Sequence, residues 1–261
     1  MDITQIKVFG ERNTGTNWLE NLLMQNYDAP VIHHRGIISQ EMTDLERKFL
    51  ASLPRVQQLF MEEKIKDAIF ETKGSKLFGW KHSSVLSENI NKHPKFNETG
   101  FIFLVKNPFS FIKSLHKRPY NTLINVPKKV DDFIITPWPT LHRDYTCSPL
   151  LETPVELWNY KVSSYCNFLD SHKNALLLRY ESLLENHELL FSLVEEKFKL
   201  KPKTRLPILK STKFDKLNTD DYRNKYLNTN PSSGLRLNSI DLINSVLDDR
   251  LVKRCQYDSS H

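Results

Sequence analysis

Short apolar runs alternate along this chain with stretches in which apolar residues recur every three or four positions. Ile6-Lys7-Val8-Phe9 reads as a buried strand, closed by a polar turn from Gly10 to Gly15. From Thr16 onward Trp18, Leu19, Leu22 and Leu23 fall at helical spacing, and Ala29 to His33 predicts a second strand. Across residues 40–70 the positions of Leu45, Phe49, Leu50, Leu53, Val56, Leu59 and Phe60 predict helix. Leu77 to His82 and Phe101 to Val105 read as further strands. Pro108 opens a helix there, because its missing N–H falls where no intrahelical partner exists. Phe111, Ile112 and Leu115 mark that helix's buried face. Later come a helix from Pro154 to about Lys173, a strand from Ala175 to Arg179, a helix from Ser182 to Lys199, and a helical tail from Ile240 to Arg254. Strands that are apolar on both faces and alternate with helices predict an α/β fold. The expected form is a three-layer sandwich around a central parallel sheet of about five strands.

Residues 118–152 break this rhythm, being rich in proline and poor in periodicity. A loop of that length in a compact domain predicts a functional cover. Trp138 and Trp158 bracket its end, and Trp138, Tyr120, His142 and Tyr145 are candidates to pack an acceptor; Asp131, Asp132 and Glu152 read as solvated acids. At 261 residues, one domain spanning 1–261 accommodates all the elements. The net charge of +6 is spread along the chain, which favours a local anion pocket over a nucleic-acid arm. Cys147, Cys166 and Cys255 form no close pair in sequence, so neither a disulfide framework nor a zinc site is expected. A reducing, cytoplasmic setting follows as the expectation, since the strand pattern starting at Ile3 leaves no room for a signal peptide. No apolar run approaches the roughly 20 residues of a membrane helix.

The chemistry begins at Gly10-Glu11-Arg12-Asn13-Thr14-Gly15-Thr16-Asn17, between a strand and a helix. A glycine-bounded loop in that place aims backbone N–H groups at an anion. Its glycines match the spacing of the ATP-binding P-loop, G-x-x-x-x-G-K-[ST]. Thr16 stands where that motif has Lys, however, and Asn17 where it has the magnesium-binding hydroxyl. The phosphate cradle is present without the metal-nucleotide parts. The segment Thr14-Gly15-Thr16-Asn17-Trp18-Leu19 resembles the 5′-phosphosulfate loop of sulfotransferases that use 3′-phosphoadenosine 5′-phosphosulfate (PAPS), which reads roughly [KR]-[ST]-G-T-[TS]-x-L. That family shares the P-loop NTPase-like fold. Asn13 takes the place of the family's basic residue, so the resemblance leaves Arg12, one position earlier, as the expected cation.

A second constellation is Lys106 at the end of a strand, with Ser114 eight residues later on the following helix. Sulfotransferases hold the 3′-phosphate of PAPS with Arg and Ser at this separation; Lys keeps the charge but loses the bidentate fork. Arg179-Tyr180-Glu181-Ser182-Leu183-Leu184 resembles the family's strand–helix junction, whose Tyr lies near the adenine. Thr212 and Phe214 resemble a segment lining the base, and Trp18 corresponds to an adenine-facing position. Arg223, Lys225 and Arg236 are alternatives for a late basic residue completing the 3′-phosphate site.

Sulfuryl transfer needs a cation at the leaving phosphate and a base for the acceptor proton. The family's Lys-x-His pair implies His82 as base and Lys81 as active-site cation, here contiguous. Adjacent strand residues point to opposite faces, so both reach one site only where the strand ends or bulges. Glu11 is the alternative base; His33, His34 and His116 are weaker candidates. The resemblance thus implies transfer from PAPS to a hydroxyl or amine of a small-molecule or carbohydrate acceptor, releasing adenosine 3′,5′-bisphosphate (PAP), with no metal, nucleic-acid partner or membrane span. A P-loop kinase and a non-catalytic PAP-binding protein are the rival readings, and neither acceptor nor oligomeric state is legible.

Overall fold

The computed structural model describes residues 2–120, 124–208 and 217–257. In chain order the elements are β1 (Gln5–Phe9), α1 (Thr16–Asn26), β2 (Val31–Ile32), α2 (Ile37–Glu41), α3 (Asp44–Ser52), α4 (Arg55–Lys73), α5 (Ser87–Ile90), β3 (Thr99–Val105) and α6 (Pro108–Lys117). There follow α7 (Val130–Ile134), β4 (Trp138–Pro139), β5 (Leu150–Leu151), α8 (Pro154–Ser171), β6 (Ala175–Arg179), α9 (Tyr180–Glu185), α10 (Glu188–Phe198), α11 (Thr219–Leu227), α12 (Leu237–Val246) and α13 (Asp249–Arg254).

The central sheet runs β2-β1-β3-β6 with every pairing parallel, and β4 and β5 form a separate antiparallel ribbon. Its period of two sorts the apolar strands onto two cores. Ile6, Val8, Ile102 and Leu104 pack with Leu19, Leu22 and Leu23 of α1 and with Phe191 and Val194 of α10. Phe9, Phe101, Phe103 and Val105 face the other way, onto Phe111 and Leu115 of α6 and Trp158 and Phe168 of α8. The chain leaves β1 for β2 on one side and returns to β3 on the other, so the strand order reverses between β1 and β3. In open parallel sheets the crevice beyond the carboxyl ends at such a reversal is where ligands bind.

Among the described residues the sheet holds four strands rather than about five, because residues 77–82 do not form one. A 3-10 turn over Gly74–Leu77 leads into Phe78 and Gly79, both with positive φ (60° and 83°), and two such residues in succession turn the chain out of any ladder. The apolar side chains that read as a strand are buried from a turn instead: Phe78 meets Phe101 edge-on and Trp80 packs on Phe70. Gly10 N–H donates to Lys81 O at 2.9 Å, holding this turn at the end of β1. The helix read over 182–199 is interrupted between α9 and α10, and the tail between α12 and α13.

The described part of 118–152 contributes Phe133, Ile134, Trp138, Leu141 and Leu151 to the same core as β3 and α8, so Trp138 is core rather than an acceptor contact. Cys166 and Cys255, far apart in sequence, are both buried free thiols. Among the described residues no helix is long and apolar enough to cross a membrane.

Candidate functional site

Two glycines let the loop after β1 fold tightly against its neighbours. A Cβ on Gly10 would lie 2.7 Å from Leu104 O of β3 and 2.8 Å from Thr16 Cγ2. Gly15 has φ 97°, and a Cβ there would come within 2.5 Å of the Tyr180 ring. Thr14 Oγ1 closes the turn by donating to Glu11 O at 2.6 Å. No side chain caps α1 at Gly15, so its first backbone N–H groups are left to an anion or water. In front of the loop lies a cavity of about 320 Å³ lined by Arg12, Gly15, Asn17, His82, Arg118 and Tyr120 among others. Arg12 carries its guanidinium between two rings, 5.1 Å from the centroid of Trp80 and 4.7 Å from that of Tyr120. Such stacking fixes a cation while leaving its N–H edges free to donate. Its buried Nε has no hydrogen-bond partner among the described residues.

The turn that replaces the expected strand brings His82 into this cavity. Nδ1 lies 2.6 Å from Gly10 O, and a carbonyl only accepts, so Nδ1 carries the proton and neutral His82 keeps its Nε2 lone pair. Burial, followed by the Lys81 and Arg12 charges, holds the ring's pKa well below the usual histidine range. Lys81 goes elsewhere. Its Nζ donates to Asn17 Oδ1 at 2.6 Å and pairs with buried Glu20 at 2.8 Å, and burial lowers its pKa. It reaches the cavity only through Asn17. Glu11, the alternative base, sits behind the loop: Oε1 accepts from Arg12 N–H and Oε2 is 3.4 Å from Lys161 Nζ. Burial raises it to about 7 against the pull of Lys161, yet it does not line the cavity.

Lys106 and Ser114 meet as their spacing predicts. Lys106 Nζ, 1% exposed by residue, lies 3.1 Å from Ser114 Oγ and 3.3 Å from Asn13 O. It also stands 3.8 Å from the Tyr226 ring centroid and 4.8 Å from that of Tyr180. Burial lowers the Lys106 pKa; burial works to raise the Tyr226 phenol, but Lys106, Ser114 and Lys225 together outweigh it and bring the phenol to about 7. Beside this pair opens a second cavity, of about 350 Å³, lined by Lys113, Ser114, Lys117, Arg118, Lys225 and Tyr226 among others. No carboxylate appears among the described residues lining either cavity.

Of the three late basic residues, Lys225 alone lines this cavity; Arg223 is held by Leu184 O and Asp220, and Arg236 by Asp131. Trp18 stands edge-on to Tyr180, and Tyr180 edge-on to Tyr226, so Tyr180 packs beneath the loop. Thr212 and Phe214 lie outside the described residues. His33 is exposed; His34, near the buried Lys7, and His116, whose Nε2–H donates to Pro127 O, lie outside both cavities. His142 and Tyr145 line a different cavity altogether. Lys113, Lys117, Arg118, Tyr120 as an Arg12 partner, and Tyr226 were not read from the sequence as site residues. One signal was available: Ser110, Lys113, Ser114 and Lys117 fall at i, i+3, i+4, i+7, a polar stripe opposite the apolar face of α6. Among the described residues no group of three or more His, Cys, Asp or Glu side chains assembles as metal ligands.

No family model and no curated protein matches this chain. Among solved structures it is similar to a sulfotransferase domain from the curacin biosynthetic pathway, with a TM-score of 0.46 and 13% identity over 98% of each chain.

Proposed function

We propose that the protein is a sulfotransferase that carries a sulfuryl group from PAPS to a hydroxyl or amine of a small-molecule or carbohydrate acceptor. One observation carries this reading: two cation-lined cavities without described carboxylates open side by side at the carboxyl ends of β1 and β3, and one holds a neutral histidine. A ligand with anions at two separated points and a reactive end fits that arrangement. Lys106, Ser114 and Lys225 hold a 3′-phosphate; Arg12 and the backbone N–H groups of residues 15–17 hold the phosphosulfate; Trp18 and Tyr180 flank the base. The donor supplies a phosphosulfate anhydride whose S–O bond breaks as the acceptor oxygen or nitrogen bonds to sulfur, leaving PAP. His82 Nε2 takes the acceptor's proton, and Arg12 neutralises charge gathering on the departing phosphate.

PAP is expected to raise Tm with EDTA present, by roughly 5 °C or more at a hundredfold excess over Kd. Differential scanning fluorimetry checks this, and turnover of PAPS with an acceptor panel, followed by PAP release, completes it. A shift with ATP and magnesium but none with PAP sinks this reading in favour of a nucleotide kinase.

A further inference from the structure

The two cavities share a wall. Asn13 and Arg118 make it: Asn13 lines the loop cavity, its carbonyl accepts from Lys106 Nζ at 3.3 Å, and its Nδ2 donates to Arg118 O at 3.0 Å. Arg118 lines both cavities. It ends α6, the helix that also carries Ser114, and its exposed side chain stands at the boundary where neither Lys106 nor Arg12 reaches across. Lys106 is buried against Tyr226 and Tyr180, and Arg12 is clamped between Trp80 and Tyr120. Arg12 lines the loop cavity and not its neighbour, while Lys106 lines neither and stands behind Ser114, which does line the second.

We infer that Arg118 is an anion ligand common to both cavities, joining them into one site that selects nucleotides bearing an anion at the 5′ and the 3′ end together. This rests on the nucleotide reading of the two cavities. A guanidinium suits the task because its planar fork presents donors along two edges, so one edge can face each anion. The tether from Asn13 to the Arg118 carbonyl keeps the residue at the boundary while its side chain adjusts to the ligand.

The test compares three probes by isothermal titration at low ionic strength: PAP, adenosine 5′-monophosphate and adenosine 3′-monophosphate. Lys106→Ala weakens only the two probes with a 3′-phosphate, and Arg12→Ala only the two with a 5′-phosphate. Arg118→Ala weakens all three, PAP by about tenfold or more, the loss expected on removing a charge-assisted contact. Arg118→Lys keeps the charge but not the fork, and loses more affinity for PAP than for either monophosphate. An Arg118→Ala loss confined to one monophosphate assigns the residue to a single cavity and overturns the inference, as does no loss at all. If wild-type protein binds none of the probes, the nucleotide reading falls and takes this one with it. Melting temperatures verify folding, and Arg118→Lys decides the matter should Arg118→Ala misfold.

Discussion

His82 has one ring nitrogen committed and one left over. Because Nδ1–H is donated to Gly10 O, the unprotonated Nε2 is the basic atom, and burial with two neighbouring cations keeps it unprotonated well below pH 6.5. The sign follows directly: with the folded pKa depressed, the base is in working form at neutral pH and is lost only as the pH falls through that low value. We expect the acid limb of kcat/KM to lie below pH 6.5 for an alcohol acceptor. His82→Asn should lower kcat by on the order of 10²–10⁴ with PAP affinity little changed. A pH–rate profile and a PAP titration check both parts, and a variant turning over near the wild-type rate removes His82 from the mechanism. The adjacent lysine shows how one position decides a role: Lys81 is paired with Glu20 and Asn17, while among the described residues Arg12 and Arg118 line the cavity.

At the scale of elements, the junction of β1, its loop and α1 depends on Gly15 touching Tyr180, the first residue of α9. Gly15→Ala combines positive φ, about 1–2 kcal/mol for a residue with a Cβ, with a steric conflict worth roughly another 1–3 kcal/mol. Gly79 also has positive φ, 83°, but a Cβ there meets nothing within 4 Å. Gly79→Ala should therefore show the backbone cost alone, and Gly15→Ala should be clearly the less stable and should bind PAP more weakly. Urea denaturation of the pair checks this; equal losses would mean that Tyr180 yields and the contact is not what shapes the loop. Helix α6 makes the complementary point, its apolar face entering the core while its polar stripe lines the cavity beside Ser114.

Across the whole molecule, Lys161 of α8 ties distant segments to the site. Its Nζ, on a residue 1% exposed, donates to His82 O at 2.6 Å and to Asp144 Oδ1 at 2.8 Å, and lies 3.4 Å from Glu11. Lys161→Met leaves two buried carboxyls uncompensated, at a cost of about 3–5 kcal/mol. Without that ammonium the Glu11 carboxyl, already raised to about 7, rises further above its unfolded value, so stability is lost as pH rises through it. The variant's deficit should accordingly be larger at pH 8 than at pH 5, as measured by denaturant titration at both. A deficit independent of pH would assign the cost to packing rather than charge.

What the sequence determined by itself was set by local rules. The apolar runs at Ile6–Phe9, Phe101–Val105 and Ala175–Arg179 are strands because a parallel sheet covered on both faces needs apolar residues throughout. Lys106 and Ser114 meet because a strand end and two helical turns fix their separation. The glycines at 10 and 15 announced a tight loop for the same reason. Tertiary structure alone decided the rest. Leu77–His82 has a strand's composition, yet successive positive φ values at Phe78 and Gly79 make it a turn that delivers His82 to the loop. Tyr226 and Lys225 come to the cavity beside Ser114 from α11, a segment whose packing against α6 no local pattern encodes. Which lysine is neutralised depends on the partner that folding places beside it: Lys81 pairs with the Glu20 carboxylate, while Lys106 is hydrogen-bonded to Ser114 Oγ and Asn13 O and packed on the Tyr226 ring.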